Sequence, residues 1–211
     1  MATWIAHMRI AEYFMKKYSA LDNDEFLVGN IAPDCGVPNE DWSSFTPDKS
    51  ITHWLKDGEN IDAEDFKNQY LIKNNQQPFY MGYYFHLLTD IEWTKLYKKK
   101  KAELWDYQGL SKDEKFIWTI KKDWYGQDHL YLQNTPDSVF FTVFSKIQEF
   151  PNSYFDVYPE DAFIKQMKYI TNFYLNAKED FTREFPYLSK IEMDNFVQKT
   201  ISVLESVYST K

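Results

Sequence analysis

The chain holds only 4 histidines, His7, His53, His86 and His129, and the first three stand in segments that could do metal chemistry. In the stretch GYYFHLLTD, Gly82 to Asp90, a histidine and an aspartate sit four residues apart in otherwise apolar and aromatic company. On a helix that spacing puts His86 and Asp90 on one face, one turn apart, so an imidazole nitrogen and a carboxylate oxygen reach the same ion. Asp34 follows Pro33 in GNIAPD, where a helix must stop and a loop begins. His53 stands in SITHWLK, at the far end of that loop, and His7 lies in a helical run of apolar residues. Two loop residues and a helical pair, converging with His7, would make a pocket of imidazole and carboxylate. That donor set suits zinc, with iron, manganese or nickel as alternatives, and the lone Cys35 rules out a structural site built from several thiolates.

Each piece also has a plain structural explanation. A histidine on an apolar helix face is commonly a core residue hydrogen-bonded to backbone or carboxylate, which covers His7 alone. His86 and Asp90 could form a buried hydrogen-bonded pair, Asp34 could serve a turn, and His53 by itself carries no information. Asp128 and His129, in DWYGQDHLYL, are read either as a core-edge pair or as a substrate contact and proton donor at the open side of the pocket. Tyr80, Tyr83, Tyr84, Trp93, Trp118 and Trp124 could line a substrate pocket, but at helical spacing they suit a core.

The elements that must position these residues are helices. Thr3 to Tyr18 has apolar residues at helical spacing, with Thr3 placed to cap. NDEFLVGNIA reads as a short helix capped by Asn23 or Asp24. From Asp34 to Asp62 the chain is rich in Pro, Asp, Ser, Asn and Gly and reads as one long loop of the kind that often carries function. Asp62 to Lys73 reads as a short helix. Pro78 to Lys101 reads as a long one, with proline at its start and the lysines of KKKK at its solvated, dipole-favoured end. Ser111 to Leu132, opened by the capping pattern SKDE, Pro136 to Glu149, Pro159 to about Phe181, and Ser189 to Ser209 complete the set. The expectation is a single all-α domain over residues 1–211, a bundle of about seven helices with a metal site between them. The motifs lie in residues 1–95, and residues 96–211 are helical without motifs.

Composition agrees. Only 6 glycines among 211 residues argue against a sheet-rich fold full of tight turns, while 44% apolar and 19% aromatic residues supply a sizeable core. The formal charge of −8 repels phosphate backbones, so duplex nucleic acid is not an expected partner. No stretch approaches the ~18 apolar residues of a membrane span, and the first residues lack the pattern of a signal peptide. A cytoplasmic protein without a transmembrane segment is the expectation.

The order of these segments, a leading helix with His7, then GNIAPD, THW and GYYFHLLTD, resembles the zinc-dependent phospholipase C superfamily, and most closely its short bacterial branch of uncharacterised hydrolase-like proteins. The resemblance implies an all-α bundle with one or two zinc ions among its helices and hydrolysis of a phosphate ester. It implies that Asp34, His53, His86 and Asp90 ligate one ion, and that Asp90 bridges to a second ion held by His7. The full phospholipases continue with a further histidine and a His-x-x-x-Glu for a third ion. Here the chain runs IEWTKLYKKKKAELWDY, with no histidine before His129. Their free N-terminal tryptophan amine has no counterpart either, since Met-Ala-Thr precedes Trp4.

The expected function is therefore metal-dependent hydrolysis of a small or lipid-like phosphate ester by an ion-activated water, with Asp34 and Asp90 as the catalytic carboxylates. The alternative is a helical module that binds a metal for sensing or scaffolding without catalysis. An HD-type phosphohydrolase is disfavoured, since no His is directly followed by Asp.

Overall fold

The computed structural model describes residues 1–21, 23–41, 43–103, 115–177, 181 and 183–209. They form an all-α fold in line with about seven helices, with one short antiparallel hairpin. Helix α1, Trp4–Lys17, starts where the Thr3 hydroxyl accepts a hydrogen bond from the Ala6 amide at 3.3 Å, and ends on Lys16 and Lys17, whose charges suit the dipole. Helix α2, Asp24–Gly29, is capped by Asn23, whose side-chain oxygen accepts from the Phe26 amide at 2.9 Å. The hairpin strands β1, Val37–Pro38, and β2, Phe45–Thr46, follow, then the short helices α3, Lys49–Thr52, and α4, Ala63–Phe66. The long helices are α5, Pro78–Glu103, α6, Phe116–Asn134, α8, Ala162–Leu175, and α9, Lys190–Ser209, with the short α7, Val139–Thr142, between α6 and α8.

Helix α5 is the axis of the fold. Every residue from Phe79 to Leu87 is buried, so this stretch has no solvent face, and α1, α2, α4 and α9 all pack on the helix. Its closest partner is α2. A Cβ on Gly82 would overlap the Phe26 carbonyl oxygen, and one on Gly29 would overlap that of Phe79. Each glycine faces the backbone of the other helix, Gly29 that of Phe79 and Gly82 that of Phe26 and Asn30, so the two backbones touch. Tyr80, Tyr83, Tyr84, Trp93 and Trp124 are core residues, whereas Trp118 is 63% exposed.

Several segments differ from the sequence reading. The loop of residues 34–62 is built up, holding the hairpin, α3 and a bridge between Leu55 and Ile61. The helix expected over Asp62 to Lys73 is α4 followed by a π turn, Lys67–Leu71, where Phe66 stacks between Tyr70 and Tyr83. The helix expected from Pro136 to Glu149 reduces to α7 and a 3-10 turn, Phe144–Lys146. Its β-branched and aromatic run is a weak helix former, and burial of Phe140 and Phe144 sets the backbone instead. The SKDE pattern at Ser111 to Glu114 lies outside the described residues. The KKKK end of α5 is only partly solvated, because Lys100 is buried against Glu192.

Candidate metal centre

The α2–α5 crossing places the first ligand. Because Gly82 lets α2 close in, the Asn30 carbonyl oxygen reaches 2.7 Å from His86 Nδ1, one turn further along α5. A carbonyl can only accept, so Nδ1 carries a proton, and Nε2 is the nitrogen left to face an ion. Nε2 lies 3.3 Å from Asp90 Oδ2, one turn on, as the spacing of GYYFHLLTD predicts. From α1, His7 lays its ring flat on that of His86, centroids 3.8 Å apart and 1° from parallel, with Nε2 3.5 Å from Asp90 Oδ1. The same Oδ1 accepts a hydrogen bond from the Ala2 amide at 2.6 Å.

The two loop residues are fixed by tyrosines. Tyr158 donates its hydroxyl to the Ala32 carbonyl at 3.0 Å, just before Asp34, and Tyr83 of α5 donates to the Thr52 carbonyl, just before His53. The two tyrosine hydroxyls are 3.4 Å apart. Tyr83 of α5 and Tyr158 thus tie the two loop segments to one point. His53 Nε2 comes 3.4 Å from Asp34 Oδ1 and 3.6 Å from Asp90 Oδ2, while its Nδ1 is 3.0 Å from the Thr52 hydroxyl. The next residue, Trp54, has φ +54°, an uncommon conformation for a bulky side chain, and its ring is held against Phe66 and Tyr70. Strain of this kind, about 1–3 kcal/mol, is characteristic of segments that aim a functional group.

Two overlapping groups result, His7–His86–Asp90 and Asp34–His53–His86, each with its donor atoms within 4.8 Å of one another. His7 and His86 are fully buried, Asp90 is 1% exposed and His53 2%. Yet His7 Nε2, His53 Nε2, His86 Nε2 and Asp90 Oδ2 have no hydrogen-bond partner. Buried polar atoms left unmatched cost about 1–3 kcal/mol each. Four of them aimed at one place fit a cation, and the nitrogen and carboxylate donors fit zinc geometry.

Electrostatics point the same way. Burial would raise the pKa of Asp90, but the Met1 amino group, His86 and His7 hold it well below the usual carboxylate range. Burial likewise opposes ionisation of Asp34, and the close approach of His53 with the charges of His86 and His53 keeps its pKa low. Burial and the neighbouring His86 push His7 down to about 4, so its imidazole is neutral and able to ligate at pH 7. For His86 burial is outweighed by Asp90, which raises its pKa. A cavity of about 440 Å³ opens onto His53 and Asp90, with Lys49, Lys98 and Glu59 also on its wall.

The five ligands expected from the sequence, His7, Asp34, His53, His86 and Asp90, thus come together. Asp128 and His129 are placed in other contacts. Asp128 accepts from Thr3 Oγ1 at 2.7 Å and from the Tyr174 hydroxyl at 2.6 Å, so it holds the start of α1. His129 packs in a ring cluster with Phe173, Tyr174 and Phe181. Neither belongs to the two donor groups. Asn30 and Tyr158 carried no sequence signal, because a backbone acceptor and a distant hydroxyl leave no spacing to read. No family model, no curated protein and no solved structure matches the chain.

Proposed function

We propose that this chain is a metal-dependent hydrolase of phosphate esters, with zinc as the preferred ion and iron, manganese or nickel as substitutes. The observation that carries the reading is the convergence of His53 Nε2, His86 Nε2 and Asp90 Oδ2, buried and without partners, at a site reached from a cavity of about 440 Å³. A cation in that place would polarise a phosphoryl oxygen and lower the pKa of a water. Asp34, His53, His86 and Asp90 would hold one ion, and His7 with Asp90 would hold a second. The resemblance of GNIAPD, THW and GYYFHLLTD to the zinc-dependent phospholipase C superfamily supports a phosphate ester, soluble or lipid-like, as substrate.

The chain's own residues supply the rest. Asn30 fixes the tautomer of His86, so the correct nitrogen faces the site. The Ala2 amide occupies one lone pair of Asp90 Oδ1 and turns Oδ2 toward His53 and His86. Asp34, the least covered of the five, has Oδ1 3.4 Å from His53 Nε2, where it would hold an ion and could also accept a proton from water. Its low pKa makes it a better ligand than base.

A second reading, a metal-binding module without turnover, is favoured by the depth of the site, since structural metal sites are closed. Two measurements decide. Elemental analysis of protein purified without a nickel column or chelator is expected to give one or two ions per chain, and a ratio near zero sinks both readings. Turnover of bis(p-nitrophenyl) phosphate is expected, abolished by chelator and by Asp90→Asn, which keeps the shape and removes the charge. Metal-loaded, folded protein that turns over no phosphomonoester, phosphodiester or phospholipid leaves the binding module as the answer.

A further inference from the structure

Several lysines of this acidic chain, among them Lys16, Lys17, Lys67, Lys100, Lys165 and Lys190, each make an ion pair with a carboxylate. Lys49, Lys98 and Lys121 do not: among the described residues, none of the three has a carboxylate at ion-pairing distance. Two of them are on the wall of the cavity that leads to His53 and Asp90, Lys49 from α3 and Lys98 from α5. Lys95, on the same wall, is engaged by Glu92, and Glu59 and Asp90 are the acidic residues there. Lys49 Nζ lies 4.2 Å from the centre of the Phe45 ring, so an aromatic face rather than a counter-ion holds it, and Lys121 Nζ lies 5.0 Å from the Trp118 ring.

Both Lys49 and Lys121 are half-buried. Burial lowers the pKa of Lys121, the charge of Lys49 lowers it further, and Asp34 opposes the shift, so the two lysines and the ligand Asp34 share one neighbourhood. Lys49 and Lys98 bring two like charges to one cavity wall, an arrangement that an anion in the cavity would relieve. In a protein of formal charge −8 this cavity gathers positive charge beside His53 and Asp90.

We infer that Lys49 and Lys98 form an anion subsite beside the metal centre, and that the substrate carries a second anionic phosphoryl group in addition to the one presented to the metal ligands. The inference rests on the metal-site reading above and narrows its substrate to esters with two phosphoryl groups. Lys121 adds positive potential behind Lys49. The smallest probe with the required chemistry is inorganic pyrophosphate, and inorganic phosphate is its single-group counterpart.

The test is calorimetric titration of metal-loaded protein, freed of excess ion, with each anion. Pyrophosphate is expected to bind more tightly than phosphate. Lys49→Ala and Lys98→Ala are each expected to weaken pyrophosphate about tenfold, with phosphate affinity and metal content nearly unchanged. Lys168→Ala, an exposed lysine of α8, serves as the charge control and is expected to change neither. If the double variant Lys49→Ala/Lys98→Ala binds pyrophosphate as the parent does, the subsite is overturned while the metal reading stands. If phosphate affinity does not depend on metal, yet pyrophosphate still needs the two lysines, the metal reading falls and the subsite stands. Binding of neither anion overturns both.

Discussion

The rings of His7 and His86 lie face to face, 3.8 Å between centroids and 1° from parallel. Two imidazolium ions cannot stack so closely, and the structure divides the roles. His86, beside Asp90, has its pKa raised, and His7, buried and next to His86, is lowered to about 4. In metal-free protein the His7 ring is therefore expected to stay neutral from pH 7 down to about pH 4. Ring nitrogen shifts read by NMR across that range check it. Protonation of His7 near its ordinary pKa of 6.5 would refute the packing described here.

Loss of a ligand should register in both metal content and stability. An ion that binds only the folded chain stabilises it, so removing a ligand forfeits that share. His53→Ala and His86→Ala are each expected to lose most of the bound metal and to lower the melting temperature by several degrees, equivalent to roughly 1–2 kcal/mol. Elemental analysis and thermal melts of the same samples check this. A variant with full metal and an unchanged melting temperature would show that its histidine is no ligand.

Gly82→Ala tests whether the helix crossing sets the site. The new methyl would meet the Phe26 carbonyl and force α2 away from α5, taking the Asn30 carbonyl from His86. The expected cost is about 1–3 kcal/mol of stability. Metal affinity should fall about 10–100-fold, as with other lost partners of a ligating histidine. Denaturant titration of metal-free protein and competition with a chromogenic chelator measure the two separately. Destabilisation with unchanged metal affinity would disconnect the crossing from the site.

Asp128 predicts a pH dependence of opposite sign to that of His7. Its carboxyl is buried and its pKa is raised to about 7, against 3.8 for the free group. The folded state holds this proton more tightly than the unfolded chain, so Asp128's share of stability is full below pH 3.8. It is lost progressively as pH rises through about 7. Asp128→Asn cannot titrate and is expected to flatten that decline by up to a few kcal/mol. Urea midpoints of parent and variant between pH 5 and 8 check it, and parallel curves would exclude Asp128 as the source.

What the sequence dictated was local. The spacing of His86 and Asp90, the caps Thr3 and Asn23, the glycine-poor composition and the apolar repeats of α1 and α5 are short-range constraints, so the helices and the five metal-binding candidates were legible without a fold. The run of residues 136–149 breaks into two short pieces rather than one helix because its backbone answers to buried Phe140 and Phe144 rather than to propensity. Only the tertiary structure could decide that Gly29 and Gly82 let α2 and α5 touch, that Asn30 fixes a histidine tautomer, and that Tyr83 and Tyr158 pin two distant loop segments beside one carboxylate. It also assigned Asp128 to the start of α1 and brought Lys49 to the wall of the cavity. These contacts join residues from about 30 to 126 positions apart, a separation at which a periodic pattern carries no information and only the packing of one helix on another sets which groups meet.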